Sequence, residues 1–426
     1  MDSLKIAGGA QLGGKVRASG AKNSCLKLLA LATMATGKCT IGNVPGITDV
    51  DTMCDLLRML GASVCSLRPD TVVIDPNCMS SCEPPESMAR RMRASVQLLG
   101  PLLAKFGAVK MPFPGGCPLG SRPIDLHLKG LAAMGAEFSE EHGYVIGKAS
   151  RLVGADIHLD FPSVGATENL MAAACLASGA TIIRNSAREP EIVDQQNFLV
   201  RMGAEIRGAG TDTIRVTGVS SLGSTNYSVM PDRIEAGTYM IAAAAASGDV
   251  TVYDVVPEHL EALAAKLSEA GASVVFSEDS VRVIMNGRPE PITVKSMPYP
   301  GFPTDLQAPM AAMLSTSRGT SVITENIFNS RFRYVDELVR MGAQIGVDGR
   351  TAVIRGVSEL TGARVSAPDI RAGAALIIAG LAACGETVID GVDHIQRGYD
   401  GIATKLASIG AKVELMTDVP IAAAAD

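Results

Sequence analysis

The triplet Met202-Gly203-Ala204 occurs in six variants along this chain of 426 residues. The other five are Leu60-Gly61-Ala62, Met134-Gly135-Ala136, Ala270-Gly271-Ala272, Met341-Gly342-Ala343 and Ile409-Gly410-Ala411. Successive glycines are separated by 74, 68, 68, 71 and 68 residues, intervals longer than the repeat of a solenoid. Each triplet follows a helix-like stretch and precedes an alternating, strand-like segment. The pattern predicts one supersecondary unit used six times.

A second glycine lies upstream in each unit, at Gly37, Gly107, Gly179, Gly248, Gly319 and Gly385. It follows an Ala/Leu/Met-rich stretch and precedes a β-branched one, so we predict that both glycines end helices in the left-handed conformation. The unit is then helix, Gly, strand, turn, helix, Gly-Ala, strand. The two glycines are 28 residues apart in the second copy and 23 to 25 in the others. The extra residues fall around Pro114–Cys117, which points to a functional loop.

A chain of this length exceeds what one hydrophobic core usually serves. We therefore predict an α/β protein of two domains with three units each, formed by residues 22–230 and by residues 1–21 with 231–426. The first segment, Leu4–Ser19, reads as strand and turn without a helix before it. We expect it to pair with the carboxy-terminal half and close a sheet there.

Composition excludes several classes of protein. A net charge of −6 without a basic block, no Trp and 4% aromatic residues argue against a nucleic-acid partner. Apolar runs stop well short of a membrane span, and the first residues have no signal pattern, so a cytoplasmic protein is expected. The glycines of Gly9–Lys15 resemble a phosphate loop, but Val16 stands where Ser or Thr is needed, and no dinucleotide fingerprint is present.

The nine cysteines have no disulfide or zinc spacing, and Cys78 and Cys82 lack the two further ligands of a zinc site. Cys25, Cys54, Cys175 and Cys384 stand in Ala/Leu surroundings that predict buried thiols. Cys117 differs, because it follows Gly-Gly near Arg122, where positive charge would lower the pKa of the thiol and favour a catalytic role. A buried spectator thiol is the alternative at that position.

Polar residues gather at two equivalent places in the units. At the start of the first helix are Lys22-Asn23, Arg91, Arg93, Ser163–Thr167, Asp232-Arg233, Thr304-Asp305 and Asp369–Arg371. In the turn before the second helix are Cys117–Arg122, Arg188–Glu191, Arg331–Arg333 and Arg397. Equivalent ends of repeated units point the same way, so we expect these groups to converge on a cleft between the domains.

Helix capping explains Asp232, Thr304 and Asp369 as well as a functional role does. It does not explain arginines near helix amino termini, where a cation gains nothing. Arg93, Arg122, Arg371 and Arg397 therefore predict a phosphate or carboxylate ligand.

Several motifs resemble the enolpyruvyl transferase family, and within it the members that act on UDP-N-acetylglucosamine. They are Ser19–Asn23, Pro114–Cys117 with Gly120–His127, Ala187–Glu191, Pro231–Glu235, Phe302–Asp305 and His394–Tyr399. The resemblance spans nearly the whole chain, and the cysteine motif is its most specific part. It implies an inside-out α/β barrel, with two domains of three units each, helices inside and sheets facing solvent.

The resemblance also implies an activity. The enolpyruvyl group of phosphoenolpyruvate would pass to the 3′-hydroxyl of UDP-N-acetylglucosamine with release of phosphate, as the first committed step of peptidoglycan synthesis. No metal and no organic cofactor are expected, and neither is a membrane or nucleic-acid partner. A monomer is expected.

Roles for individual residues follow from the same resemblance. Cys117 would donate a proton, form a covalent adduct and react with fosfomycin, and Asp305 would be the base. Lys22, Arg122 and Arg397 would neutralise phosphoenolpyruvate. Asn23 and Arg93 would hold the substrates, and Asp305 and Ile327 would contact the sugar. Arg331, Asp369 and Arg371 would contribute further contacts from the second domain. The nucleotide would be bound by Arg122, Pro123, Ile124, Asp125, Leu126, Ser163, Val164 and Gly165. Phe161 stands where some relatives have a lysine.

Two other functions stay open on the sequence. One is enolpyruvyl transfer to shikimate 3-phosphate, although that enzyme lacks the cysteine and the Arg122–His127 run. The other is a catalytically silent binder of nucleotide sugars.

Overall fold

The computed structural model describes residues 2–113 and 124–417. The chain forms two compact units. The first unit consists of Ser19–Asp232 with Pro298–Pro300. The second consists of the described residues up to Ala18, Arg233–Met297 and the described residues from Gly301 onward.

These bounds differ slightly from the predicted domain ends. The reason is that the segment entering the first unit, residues 19–21, is hydrogen-bonded to the segment leaving it, residues 230–232. The Ala21 amide donates to the Met230 carbonyl at 2.7 Å, and the Asp232 amide donates to the Ser19 carbonyl at 2.8 Å. Both segments therefore belong to the first unit.

The described residues form fourteen α-helices and four short 3₁₀ helices. The α-helices are α1 (Lys22–Leu31), α2 (Thr48–Met59), α3 (Glu86–Ala89), α4 (Leu99–Phe106), α5 (Asp125–Ala133), α6 (Val164–Ala174), α7 (Pro190–Arg201), α8 (Arg233–Ala245), α9 (Glu261–Glu269), α10 (Gln307–Leu314), α11 (Val335–Arg340), α12 (Ile370–Ala382), α13 (Val392–Gln396) and α14 (Ile402–Ser408). The 3₁₀ helices are η1 (Ala32–Met34), η2 (Arg93–Leu98), η3 (Pro257–Leu260) and η4 (Thr304–Leu306).

The strands of the described residues are short. They are β1 (Ser3–Ala7), β2 (Gly13–Arg17), β3 (Cys39–Gly42), β4 (Ser63–Arg68), β5 (Thr71–Asp75), β6 (Ala108–Pro112), β7 (Glu137–Glu141), β8 (Tyr144–Lys148), β9 (Asp156–His158), β10 (Ala180–Arg184), β11 (Glu205–Arg207), β12 (Thr213–Thr217), β13 (Asn226–Ser228), β14 (Asp249–Tyr253), β15 (Ser273–Phe276), β16 (Ser280–Ile284), β17 (Thr293–Lys295), β18 (Thr320–Thr324), β19 (Gln344–Asp348), β20 (Thr351–Arg355), β21 (Arg364–Ser366), β22 (Glu386–Asp390) and β23 (Lys412–Met416).

These strands form six sheets, three in each unit, and five of the sheets share one topology. In those five, an edge strand runs parallel to its neighbour and the next two strands are antiparallel. Their orders are β13-β3-β5-β4, β9-β10-β12-β11, β2-β14-β16-β15, β17-β18-β20-β19 and β21-β22-β1-β23. The sixth, β6-β8-β7, has three described strands. The sixfold repeat predicted from the Gly-Ala triplets is thus visible as six similar sheets.

The amino-terminal strand completes the last sheet, which confirms the predicted pairing of the first segment. β1 runs antiparallel to both β22 and β23, with Ile6 opposite Thr387 on one side and Val413 on the other. In the other sheets this position belongs to the second strand of a hairpin. The sixth copy of the unit is therefore built from both ends of the chain.

Each unit contains at least one helix that is buried over most of its length, namely α6 in the first unit and α8, α10 and α12 in the second. In the second unit, α10 packs on both α8 and α12, and α8 packs on α12. The sequence of α12 is Ala/Leu/Ile-rich on all its faces, the pattern of a fully buried helix, and it is buried from Arg371 to Leu381. The strands alternate instead, as in β12, where Ile214 and Val216 are buried and Arg215 is exposed.

All six Gly-Ala junctions end a helix in the same way. The glycines have φ between 92° and 101°, and the following alanine amide donates to a leucine carbonyl five residues earlier at 2.9–3.1 Å. The leucines are Leu57, Leu131, Leu199, Leu267, Leu338 and Leu406, all buried. This is a Schellman cap, which confirms the prediction for these glycines.

The prediction for the upstream glycines is only half right. Gly107, Gly179 and Gly385 have left-handed φ, whereas Gly37, Gly248 and Gly319 do not. At these three positions glycine leaves room for a neighbour instead. A Cβ on Gly248 would lie 2.6 Å from the Leu12 carbonyl oxygen, and one on Gly319 would lie 2.9 Å from the Pro291 ring.

The cysteine predictions also divide. Cys25, Cys54 and Cys175 are buried, and burial raises the pKa of the Cys54 thiol to about 11 and that of Cys175 to about 12. The prediction for Cys384 is wrong, since this residue is exposed. It follows the end of α12 and pairs through its backbone with Thr361.

Candidate active site

The residues predicted to act on substrate fall into a group in each unit. Cys117, Arg122 and Pro123 lie outside the described residues. The first unit holds Lys22, Asn23, Arg93, Ile124, Asp125, Leu126, Ser163, Val164 and Gly165, and the second holds Asp305, Ile327, Arg331, Asp369, Arg371 and Arg397. Most of them begin a helix, as the repeated pattern predicts.

Lys22 is the first residue of α1 and is only 7% exposed. Its ammonium contacts the Asp49 carboxylate at 2.7 Å, and its backbone amide donates to Asp232 Oδ2 at 3.0 Å. A buried ammonium needs such a partner, because its desolvation is costly. Asp232 thus satisfies the amino terminus of α1, for which Ala21 offers no side-chain cap.

The amino termini of α5 and α6 lie side by side. Ser163 caps α6 by accepting a hydrogen bond from the Ala166 amide at 3.3 Å. Gly165 faces the buried ring of His127 on α5, and a Cβ there would lie 3.1 Å from His127 Cε1. The structure therefore brings Ser163–Gly165 close to the Ile124–Leu126 segment, where Asp125 is exposed in the first turn of α5.

Arg93 begins η2 and is half-buried. Further along η2, the Val96 carbonyl and the Gln97 amide oxygen accept hydrogen bonds from Asn169 on α6. The helix that carries Arg93 is thereby joined to the helix that begins at Val164.

In the second unit, two arginines hold the Asp305 carboxylate. Arg331 donates to Oδ1 at 2.6 Å, and Arg371 donates to Oδ2 at 3.2 Å. Burial alone would raise the pKa of Asp305, but the charges of Arg371 and Arg331 outweigh it and hold that pKa far below its ordinary value of 3.8. Asp305 is therefore ionised, and in this arrangement it is a weak base.

Tyr399 fixes the guanidinium of Arg371 from a further side. Its hydroxyl accepts from Arg371 Nη1 at 3.2 Å and lies 3.0 Å from Thr238 Oγ1 on α8. The guanidinium carbon also lies 5.5 Å from the centre of the tyrosine ring. Arg371 thus links α12, α8 and η4.

Glu325 orders the loop that carries Ile327. One carboxylate oxygen accepts from the Ile327 and Phe328 amides at 2.8 and 3.1 Å, and the other accepts from Thr304 Oγ1 at 2.9 Å. Glu325 is fully buried. It therefore ties the Ile327 loop to the residue next to Asp305.

Two further predicted residues have plain local roles. Asp369 caps α12, because its carboxylate accepts from the Arg371 and Ala372 amides at 2.9 and 3.0 Å. The expectation that Arg397 lies near a helix amino terminus is wrong, since it directly follows the last residue of α13. A cation is favoured there by the carbonyl groups that end the helix.

Sequence reasoning missed Asp49, Glu325 and Asn169. Asp49 is indistinguishable in sequence from Asp51, the other acidic residue in the first turn of α2. Asn169 and its neighbour Glu168 did leave a signal, because with Thr167 they are the polar residues in a helix that is buried from Ala166 to Ala174.

The family described as EPSP synthase (3-phosphoshikimate 1-carboxyvinyltransferase) matches residues 6–406. The chain belongs to this family of enolpyruvyl transferases.

Relatives within the family are more specific. UDP-N-acetylglucosamine 1-carboxyvinyltransferase 2 of Carboxydothermus hydrogenoformans is 51% identical over 420 residues, which cover 98% of this chain and 100% of that protein. UDP-N-acetylglucosamine 1-carboxyvinyltransferase of Clostridium botulinum is 51% identical over 414 residues, with 97% and 99% covered.

Solved structures agree on the fold. The enolpyruvyl transferase NikO from Streptomyces tendae has a TM-score of 0.88 at 24% identity, covering 98% of this chain and 99% of that one. An EPSP synthase from Acinetobacter baumannii has a TM-score of 0.73 at 19% identity, covering 98% and 100%. Within residues 2–113 and 124–417, no helix has the length and apolar character that a membrane crossing requires.

Proposed function

We propose that this chain transfers the enolpyruvyl group of phosphoenolpyruvate to the 3′-hydroxyl of UDP-N-acetylglucosamine and releases phosphate. The observation that carries the proposal is the 51% identity, over 98% of the chain, with a relative named for this reaction. A local feature supports it as well: Arg331 and Arg371 could attract an anionic substrate, and the ionised Asp305 between them could accept a proton.

The proposed reaction is an addition followed by an elimination. The sugar oxygen bonds to C2 of phosphoenolpyruvate while a proton goes to C3. The bond from C2 to the phosphate oxygen then breaks, C3 loses a proton, and the double bond forms again. Cys117 is the proposed proton donor to C3, and Asp305 is the proposed acceptor of the hydroxyl proton.

The low pKa of Asp305 constrains its role. A base works best when its pKa lies near the working pH, so two flanking guanidiniums weaken Asp305 as a base. An anionic substrate that draws Arg331 or Arg371 toward itself would raise that pKa. We propose that substrate binding strengthens the base in this way.

The other proposed roles concern binding. Lys22, Arg122 and Arg397 neutralise phosphoenolpyruvate, with Asn23 and Arg93 beside it. Asp369 contributes as the cap that orients the first turn of α12, which contains Arg371. The nucleotide is bound by Arg122–Leu126 and Ser163–Gly165, and the sugar by Asp305 and Ile327. No organic cofactor and no metal are part of the proposal.

The cellular role follows from the proposed product. Its formation commits the sugar nucleotide to peptidoglycan, so the protein would serve cell-wall synthesis and thereby cell shape and division. A cytoplasmic place of action is proposed, because phosphoenolpyruvate is a cytoplasmic metabolite. The protein is proposed to act as a monomer and to be a target of fosfomycin.

Phosphate release from phosphoenolpyruvate tests the proposal. The wild-type chain is mixed with phosphoenolpyruvate alone, with added UDP-N-acetylglucosamine, or with added shikimate 3-phosphate. We expect release only with the sugar nucleotide. Release with shikimate 3-phosphate would favour the other transferase, and no release with either acceptor would favour a silent binder.

Cys117→Ala tests the role of the thiol in the same assay. We expect loss of turnover and no mass increase after fosfomycin treatment, whereas wild type gains one fosfomycin. Cys65→Ala, at an exposed cysteine on β4, is the control and should behave as wild type. Full turnover by Cys117→Ala would remove the assigned role.

A further inference from the structure

Asn169 is a fully buried polar residue in the apolar helix α6. Its amide orientation is set by the backbone. The Gly100 amide donates to Asn169 Oδ1 at 2.7 Å, so the side-chain nitrogen must face the opposite way as a donor. Glycine at position 100 permits this contact, since a Cβ there would lie 2.4 Å from the Asn169 carbonyl oxygen.

The amide nitrogen of Asn169 has acceptors on two other elements. The Val96 carbonyl lies at 3.1 Å and Gln97 Oε1 at 2.9 Å, both on η2. His127 Nδ1, on α5, lies at 3.0 Å. The two N–H groups of this nitrogen are shared among the three acceptors, so one side chain on α6 joins α4, η2 and α5.

These bonds also fix the orientation of the neighbouring groups. Since Gln97 Oε1 accepts from Asn169, its amide nitrogen is free to donate, and it does so to Glu168 Oε2 at 2.6 Å. Because the amide nitrogen of Asn169 can only donate, a proton on His127 Nδ1 would face a second donor at 3.0 Å, so we assign the ring proton to Nε2. The His127 ring in turn packs where Gly165 leaves room for it.

The three elements held by Asn169 carry Arg93 and the described nucleotide contacts of the first unit, whereas Lys22 and Asn23 lie on α1. Arg93 begins η2, the Ile124–Leu126 segment begins α5, and Ser163–Gly165 begins α6. We propose that Asn169 is a positioning residue for sugar-nucleotide binding, which holds these three segments in the arrangement that the ligand requires. The inference rests on the proposed function and adds a residue that does not itself touch the ligand.

Two variants of Asn169 and one matched control test the inference. Asn169→Leu removes all the side-chain bonds at similar volume, and Asn169→Asp keeps the acceptor for Gly100 but removes the donor. Gln195→Leu is the control, because Gln195 is equally buried in the same unit and joins α7 to α6 through a hydrogen bond to the Glu168 carbonyl at 2.9 Å.

The measurements separate positioning from stability. We expect both Asn169 variants to weaken UDP-N-acetylglucosamine binding, measured by calorimetry, at least tenfold and to raise its KM similarly. The KM for phosphoenolpyruvate should rise less than that for the sugar nucleotide, because Lys22, Asn23 and Arg397 lie outside η2, α5 and α6, and kcat should stay within about threefold of wild type. Gln195→Leu should lower the unfolding temperature to a similar extent but leave binding within twofold.

A ¹⁵N-histidine spectrum gives a readout that general destabilisation does not move. The chain has five histidines, and His127→Gln identifies the relevant signal. In wild type, Nδ1 of His127 should show the shift of an unprotonated acceptor nitrogen. In Asn169→Leu it should show a mixture of the two tautomers.

The outcomes separate a failure of the Asn169 inference from a failure of the proposed function. If wild type turns over the sugar nucleotide but both folded Asn169 variants bind it as well as wild type does, the inference is overturned and the proposed function stands. If wild type neither binds nor turns over the sugar nucleotide, both fall. Should Asn169→Leu fail to fold by circular dichroism, Asn169→Asp decides alone.

Discussion

At the scale of single residues, the carboxylate of Asp305 shows how neighbouring charges set acid–base behaviour. Its two arginine partners lie on different segments, with Arg331 before α11 and Arg371 on α12. Each is almost fully buried, so solvent screens their charges little. The two charges together keep a half-buried carboxylate ionised.

Arg331→Met removes one of these charges and should raise the pKa of Asp305. Because the base must be ionised to act, kcat should then fall at acidic pH. The acidic limb of the pH–rate profile should lie at higher pH than in wild type. Each profile is normalised to the maximal kcat of the same variant, because Arg331 is also a proposed substrate contact and its loss lowers the rate at every pH. Arg340→Met, at an exposed arginine on α11, should leave the profile unchanged.

Glu168 is a buried carboxyl group whose pKa is raised, in contrast to the lowered pKa of Asp305. Burial raises its pKa to about 7 despite the nearby ammonium of Lys27, and Glu191 and Glu189 add to the rise. The folded protein thus keeps a proton that the unfolded chain loses near the ordinary value of 4.5. The free energy of unfolding therefore falls as the pH rises from about 4.5 to about 7.

Glu168→Gln should remove that pH dependence. One pKa unit corresponds to about 1.4 kcal/mol. As the pH rises through this range, the free energy of unfolding of the variant should therefore rise by on the order of 3 kcal/mol relative to that of wild type. Urea unfolding at pH 4.5 and pH 8 measures this gain. Glu205→Gln changes an exposed residue of the same unit, so its free energy of unfolding should depend on pH as that of wild type does. The same pH dependence in Glu168→Gln would contradict a raised pKa of Glu168.

The sequence identified most charged residues of the candidate site, Arg331 among them, but not which of them pair. Lys22, Asp305 and Arg371 stand out because they recur at helix starts, a property of local pattern. Their partners Asp49, Arg331 and Tyr399 are far away in sequence, and only the packed units bring them into contact. Such pairings depend on tertiary structure, which local pattern does not encode.

At the scale of elements, the Gly-Ala junction is the feature that sequence predicts best. Its Schellman cap needs a glycine for the left-handed residue and a buried leucine one turn earlier, and both are local. The upstream glycines look the same in sequence, yet Gly248 and Gly319 serve contacts with Leu12 and Pro291. A close approach by a distant residue cannot be read from a local pattern.

Gly203→Ala isolates the conformational cost of this cap. Gly203 has φ of 101° and no neighbouring atom within 4 Å of an added Cβ, so only backbone strain opposes the change. We expect a loss of about 1–2 kcal/mol in the free energy of unfolding. Gly346→Ala in β19 is the control, since its site is equally open but its φ is not left-handed, and it should change stability little.

At the scale of the whole molecule, both ends of the chain contribute to one sheet of the second unit. Ile6 is fully buried in β1, between β22 and β23. Truncating such a side chain typically costs about 2–5 kcal/mol. The cost should fall on the second unit, because β1 has its strand partners there.

Ile6→Ala should therefore speed hydrogen exchange in β21–β23 and α12 while leaving β9–β12 at wild-type rates. Ile157→Ala, at a buried position of β9, should give the reverse pattern. Exchange followed by mass spectrometry distinguishes the two. Equal acceleration in both units by either variant would mean that they unfold together.

The position of β1 also has a consequence for how the protein is made. The ribosome releases residues 19–232 as one continuous stretch, so the first unit can fold while synthesis continues. β1 emerges before this stretch, yet its partners at residues 386–390 and 412–416 emerge after it. β1 must therefore stay unpaired along both edges until residues 386–416 have been made, which makes it a natural site for chaperone binding.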